Sequence, residues 1–213
     1  VMSATTVVAE SAAHDDHGTG HGTDHGHTST GLSNNKLAMW LFLGSECLLF
    51  GGLISTYMLY RGRNADGPSP DQVFSIPFTS VSSFVLLMSS LTMVLAVNSA
   101  QNRDIPRARL WLTVTALLGA TFVGGQVFEF TEFYRHGLGF TTSLFGSSFY
   151  TLTGFHGVHV TVGIIMLMSL NGMLRYERVP GDKAEVVELV GLYWHFVDII
   201  WILIFTLVYL IPA

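Results

Sequence analysis

Five long apolar runs, at roughly 37–60, 78–98, 109–131, 148–171 and 188–211, dominate the chain. Each holds about the 20 residues a helix needs to cross a hydrocarbon core of ~30 Å at 1.5 Å per residue. The connections RGRNADGPSPDQ, QNRDIPRAR, YRHGLGFTTSLFG and RYERVPGDKAE interrupt them with charge, glycine and proline. Backbone in lipid must satisfy its own hydrogen bonds, so the pattern predicts an all-α integral membrane fold, a bundle of five transmembrane helices spanning 36–213. Residues 1–35 break the pattern. They are small and polar, and HDDHGTGHGTDHGH carries His14, His17, His21, His25 and His27. Such a segment buries too little apolar area to offset chain entropy, so a disordered His-rich cytoplasmic tail is expected. Loose metal binding or proton buffering is its alternative use. It has no apolar stretch of the kind a secretory signal needs, so none is expected.

The last run organises the others. ELVGLYWHFVDIIWILIFTLVYLI is long enough to span, yet it carries His195 and Asp198 well inside, three residues apart and on one helical face. Trp194 and Trp201 flank them. Ionisable groups at that depth are costly unless they face protein or water, so this face should point into the bundle.

Composition strengthens the membrane reading. Only 12% of residues are charged and 49% are hydrophobic, with a mean hydropathy of +0.47; water-soluble domains average about 25% charged. The single cysteine, Cys47, lies in an apolar run and can form neither an intrachain disulfide nor a thiolate metal site. Lys36, Arg103, Arg107, Arg109, Arg175, Arg178 and Lys183 fall on one side, and Arg61, Arg63 and Arg135 on the other. Seven against three puts the amino terminus in the cytoplasm and the carboxyl terminus outside.

Further polar residues lie inside the runs. Glu46 is about ten residues in, so ~15 Å deep. His156 and His159 share a face of the fourth run, with Gly154 and Gly157 beside them. Glu46, His159 and Asp198 fall at a similar level, His156 and His195 within about a turn of it. Gln126 and Glu129 lie nearer the outer surface. The constellation admits a carboxylate-rich metal site, a proton path, or interhelical hydrogen bonding that fixes the bundle. Hydrogen bonding is the expected role of His156, His159, His195 and Asp198, with Gln126 and Glu129 as an outer polar cluster. For Glu46 functional and structural readings stand level. No set of inward histidines on separate helices offers haem or copper ligation, and no metal site is expected in this chain.

In order, GSECLLFGG, VGGQVFEF, TGFHGVHVTVG and YWHFVDIIWILIF resemble subunit III of the haem–copper terminal oxidases, over the chain from about Lys36 to its end. Five spans resemble the short bacterial form, which lacks two amino-terminal helices of the longer members. The resemblance implies a subunit of the bacterial cytoplasmic membrane without catalytic residues or a cofactor of its own. Haem and copper would reside in partner subunits. It would pack against the catalytic subunit I, beside subunit II, in a complex that reduces oxygen and pumps protons. Phospholipids would sit in a cleft between its helices, and proton uptake would be sustained. Glu46 matches the glutamate of the family's SE motif, which reacts with carbodiimides. Cytochrome c oxidase is the expected complex. A quinol oxidase or a nitric-oxide reductase is the near alternative, and a free-standing proton-coupled transporter the distant one, disfavoured by the lack of repeats and of prolines within the runs.

Overall fold

The computed structural model describes residues 33–61, 76–135, 140, 144–177 and 182–211. Residues 1–32 of the expected disordered tail lie outside the described residues, as do Arg63 and Arg178, whereas its last two, Asn34 and Asn35, already belong to a helix. Five helices follow one another: α1 (Asn34–Tyr60), α2 (Ile76–Gln101), α3 (Ile105–Arg135), α4 (Leu144–Arg175) and α5 (Lys183–Phe205). A five-residue π-helical turn, Thr206–Leu210, extends α5. All five helices are long and apolar enough to span a membrane, and no strand occurs among the described residues.

The helices outrun their apolar runs by about a turn, and a local cap marks the start of two of them. Asp104 precedes α3, and its carboxylate accepts from the Arg107 amide at 3.2 Å. Asp182 likewise accepts from the Ala184 amide at the start of α5. Both satisfy amides that the first turn leaves free. Between α2 and α3, Arg103 adopts a left-handed φ of 60°. Its amide donates to Ala100 O, and the Asp104 amide to Ser99 O at 2.9 Å. This is a Schellman end, in which two orphan carbonyls are capped in three residues and the chain reverses.

Buried positions recur at alternating spacings of three and four. On α3 they are Ala108, Leu112, Thr115, Gly119, Phe122, Gln126, Glu129 and Phe133, with Ala116 beside them. On α5 the same spacing links Val187, Val190, Trp194, Val197, Trp201, Ile204 and Val208, and Gly191, Tyr193, Phe196, Asp198, Ile200 and Tyr209 are buried beside that line. A 3.5-residue period keeps one seam against its neighbours in the manner of left-handed bundles. α5 is central: half of its apolar window is buried, against 11% for α1. Trp194 is the core's keystone. Its indole lies between α3 and α4 where both present glycine. A Cβ on Gly119 would stand 2.5 Å from the ring, and one on Gly163 2.9 Å. The indole N–H donates to Ser89 Oγ of α2 at 3.0 Å. Trp201 repeats the device, donating to Ser83 Oγ at 2.8 Å.

α1 is attached differently. Leu43, Phe50 and Tyr57, seven residues apart, are its only buried positions. Long side chains reach from it at three levels: Lys36 to Glu188, Glu46 to His159, and Arg61 to the carbonyls of Leu207 and Ile211. Lipid tails offer helices no hydrophobic reason to associate, so polar pins of this kind contribute much of what holds a peripheral helix.

Candidate functional site

Glu46 occupies the α1 seam between Leu43 and Phe50, so its side chain is directed at the bundle. The group it meets is His159 of α4, whose Nε2 lies 3.1 Å from Glu46 Oε2, both side chains 15% exposed. His159 Nδ1 lies 2.7 Å from Phe155 O. A carbonyl only accepts, so Nδ1 carries a hydrogen and Nε2 faces the carboxyl. A proton placed between the two would leave a neutral pair on the carboxyl or an ion pair on the imidazole, so its transfer within the pair would not change the net charge. The Tyr193 hydroxyl donates to His159 O at 3.0 Å, tying α5 to the same turn. The Phe50 ring meets the imidazole edge-on with centroids 5.0 Å apart. An apolar groove of about 400 Å³ runs from Met39 and Met166 to His159 and Tyr193.

The other predicted residues separate around this pair. His156, one turn along α4, is fully buried in an aromatic box. It stacks on Trp201 at 4.9 Å and meets Phe122 and Phe50 edge-on. Neither of its ring nitrogens has a hydrogen-bond partner among the described residues. His195 Nδ1 lies 2.6 Å from Ser90 Oγ of α2. Asp198 is buried, and its carboxyl engages the hydroxyl of the same Ser90. Thus Glu46 and His159 are joined directly, His195 and Asp198 meet through Ser90, and no hydrogen bond joins His156 to either pair among the described residues.

Gln126 and Glu129 share the α3 seam but turn to different helices. Gln126 Nε2 donates to Thr153 O of α4 at 2.8 Å. Gly157 makes room for its amide, since a Cβ there would stand 2.7 Å from Gln126 Oε1. Glu129 accepts from the Thr79 hydroxyl of α2. Among the described residues no three His, Cys, Asp or Glu side chains are grouped to hold a metal ion. Sequence reasoning missed the Lys36–Glu188 and Arg61 contacts, the Ser90 partner of His195 and the glycine slot for Trp194. Only the basic residues at the run ends carried any signal of the first two.

The comparisons with known proteins agree with this architecture. The family model for cytochrome c oxidase subunit III matches residues 6–212. The chain belongs to the cytochrome c oxidase subunit III family. Cytochrome c oxidase subunit 3 of Bacillus sp. PS3 is 41% identical, over 83% of this chain and 86% of its own length. Cytochrome bo(3) ubiquinol oxidase subunit 3 of Pseudomonas aeruginosa is 38% identical over 98% and 99%. Quinol oxidase subunit 3 of Bacillus subtilis is 36% identical over 92% and 96%. As a member of the subunit III family, the chain is a membrane component of a haem–copper oxidase complex, with other oxidase subunits as its partners. Within this subunit III, the Glu46–His159 pair is built from two motifs of the sequence, GSECLLFGG and TGFHGVHVTVG.

Proposed function

We propose that this chain is subunit III of a proton-pumping respiratory cytochrome c oxidase in a bacterial cytoplasmic membrane. It binds no haem or copper itself. It buttresses catalytic subunit I next to subunit II, retains phospholipid, and sustains proton supply during turnover. The observation that carries this reading is Glu46 joined to His159 across the α1–α4 interface at 3.1 Å. An acid and a base that share one proton at mid-membrane hold it without leaving net charge in hydrocarbon. The apolar groove ending at that pair has walls suited to an acyl chain. Cytochrome c as donor is supported by the 41% relative; the ubiquinol oxidase relative, matched almost end to end, supports quinol as the second reading.

The test is affinity purification of this chain from its native membrane in mild detergent. Reduced haem bands with co-eluting larger subunits are expected, together with oxidation of cytochrome c in preference to quinol. Glu46→Gln should leave the initial rate near that of the wild type but shorten the active lifetime. A colourless, solitary chain would overturn the reading, and quinol oxidation alone would move it to the second donor.

A further inference from the structure

At the outer end of the bundle a carboxyl is buried away from any cation. Glu129 of α3 is 5% exposed and accepts from the wholly buried Thr79 hydroxyl of α2. No lysine, arginine or histidine pairs with it among the described residues. A hydroxyl oxygen that donates to one partner can still accept from another, and the Tyr209 hydroxyl of the π-helical turn engages Thr79. The Tyr57 hydroxyl of α1 lies within electrostatic reach of Tyr209. Tyr57 is 1% exposed, and its hydroxyl has no hydrogen-bond partner among the described residues. One turn further along α1, the Arg61 guanidinium stands 6.0 Å from the centre of the Tyr57 ring. Its terminal nitrogens donate to the carbonyls of Leu207 and Ile211, while Nε is buried without a partner. α4 closes the cluster with a ring, Phe145, whose centroid lies 5.7 Å from that of Tyr57.

Two features set this cluster apart from simple staples between helices. A carboxylate bonded only to a hydroxyl would stand as a net charge in hydrocarbon, which is costly, and the neutral acid avoids it. Arg61, the cation nearest the cluster, is committed to backbone carbonyls and does not offset that charge. The hydroxyls are also in series. Because Thr79 donates to Glu129, Tyr209 has to be the donor to Thr79, so both O–H bonds point towards the carboxyl. Beyond them, Tyr57 O–H and Arg61 Nε–H are two buried donors one turn apart, a polar recess of the kind that holds an internal water.

We propose that Tyr57, Tyr209 and Thr79 form a proton relay between the outer surface and Glu129, which makes Glu129 a second protonatable site of the subunit. A proton arriving from bulk water through a water at Tyr57 passes to Tyr209 Oη. Tyr209 hands its own hydrogen to Thr79 Oγ1, and Thr79 hands its own to the Glu129 carboxylate. Each hydroxyl oxygen breaks one O–H bond and forms one, so the carboxyl alone gains a proton. The relay is distinct from the Glu46–His159 pair, since Tyr57 lies about three turns beyond Glu46 on α1, or ~16 Å by the helical rise. That its mouth is outer follows from the distribution of basic residues, whereas the relay itself does not depend on the oxidase reading.

The test uses the complex purified from its native membrane, followed by infrared spectroscopy after transfer from H2O to D2O. Glu129→Gln should lack one protonated-carboxyl stretch that the wild type shows, and Glu46→Gln should keep it. Exchange of that stretch should slow roughly ten-fold in Tyr209→Phe and in Thr79→Val, with Thr79→Ser close to wild type. A purely structural cluster would lower the melting temperature of those variants and leave the exchange rate where it was. Identical carboxyl stretches in Glu129→Gln and wild type would show Glu129 to be ionised and overturn the proposal. Wild-type exchange in both Tyr209→Phe and Thr79→Val would overturn it as well. Neither result touches the assignment of the chain to an oxidase.

Discussion

At the scale of single residues, two glycines decide whether the centre of the bundle can form. Trp194 is 1% exposed, and any side chain at Gly119 would lie inside van der Waals contact with its ring. A ring wedged between α3 and α4 cannot withdraw without losing its bond to Ser89. Gly119→Ala should therefore destabilise the subunit by about 1–3 kcal/mol, the usual cost of overpacking. Gly124→Ala is the control. Nothing lies within 4 Å of a Cβ there, and alanine favours the helix by up to ~1 kcal/mol. Thermal inactivation of the purified complex should show the first below wild type and the second level with it or above. A second prediction concerns Glu46 and His159. Their double-mutant cycle to alanine should give a coupling of about 0.6–1.7 kcal/mol, the span measured for polar contacts between membrane helices. Additivity would show that the 3.1 Å contact contributes nothing. Glu46 was legible in the sequence because a carboxyl among apolar residues stands out at once. Its partner was less so, being 113 positions away. The Trp194 slot was illegible, because Gly119 inside an apolar run reads the same as the open Gly124.

At the scale of elements, composition and length made all five helices legible, but their faces remained hidden. In a soluble helix the apolar stripe marks the core, whereas here lipid and core both prefer apolar side chains, so the pattern is nearly uniform around each helix. What distinguishes the seams is small and polar residues: Thr79, Ser83 and Ser89 on α2, Thr115, Gln126 and Glu129 on α3. The π-turn after α5 was also missed. Arg61 reaches from α1 to its carbonyls at Leu207 and Ile211, which the helix end leaves free. Arg61→Leu should strip those carbonyls of their donor and loosen the end of α5. Hydrogen exchange followed by mass spectrometry should show faster exchange in the peptide covering 206–211, with the α3 seam unchanged. Equal exchange in variant and wild type would mean that water or lipid replaces the guanidinium. Lys36→Ala at the opposite end should matter less. That pair is about one-third exposed on each side, and pairs of this kind contribute ~0.2–1 kcal/mol.

At the scale of the whole molecule, charge is what gives the bundle a direction. Among the described residues, Lys36, Arg103, Arg107, Arg109, Arg175 and Lys183 gather at one end, and Arg61 and Arg135 at the other. Basic residues beside a span resist transfer across the membrane, so the richer end should be cytoplasmic. The short α2–α3 reversal then lies inside and the outer end of α3 outside. The experiment begins from Cys47→Ala, so that the introduced thiol is the only one in the chain. Asn102→Cys in the α2–α3 reversal and Tyr134→Cys at the far end of α3 are then made separately; both native side chains are exposed. A membrane-impermeant maleimide applied to intact cells should label Tyr134→Cys and spare Asn102→Cys, and inverted vesicles should reverse the result. The opposite pattern would place the amino terminus outside. It would also turn the groove that begins at Met39 and ends at His159 toward the outer leaflet, on the side away from the cytoplasmic proton uptake that the subunit is proposed to sustain.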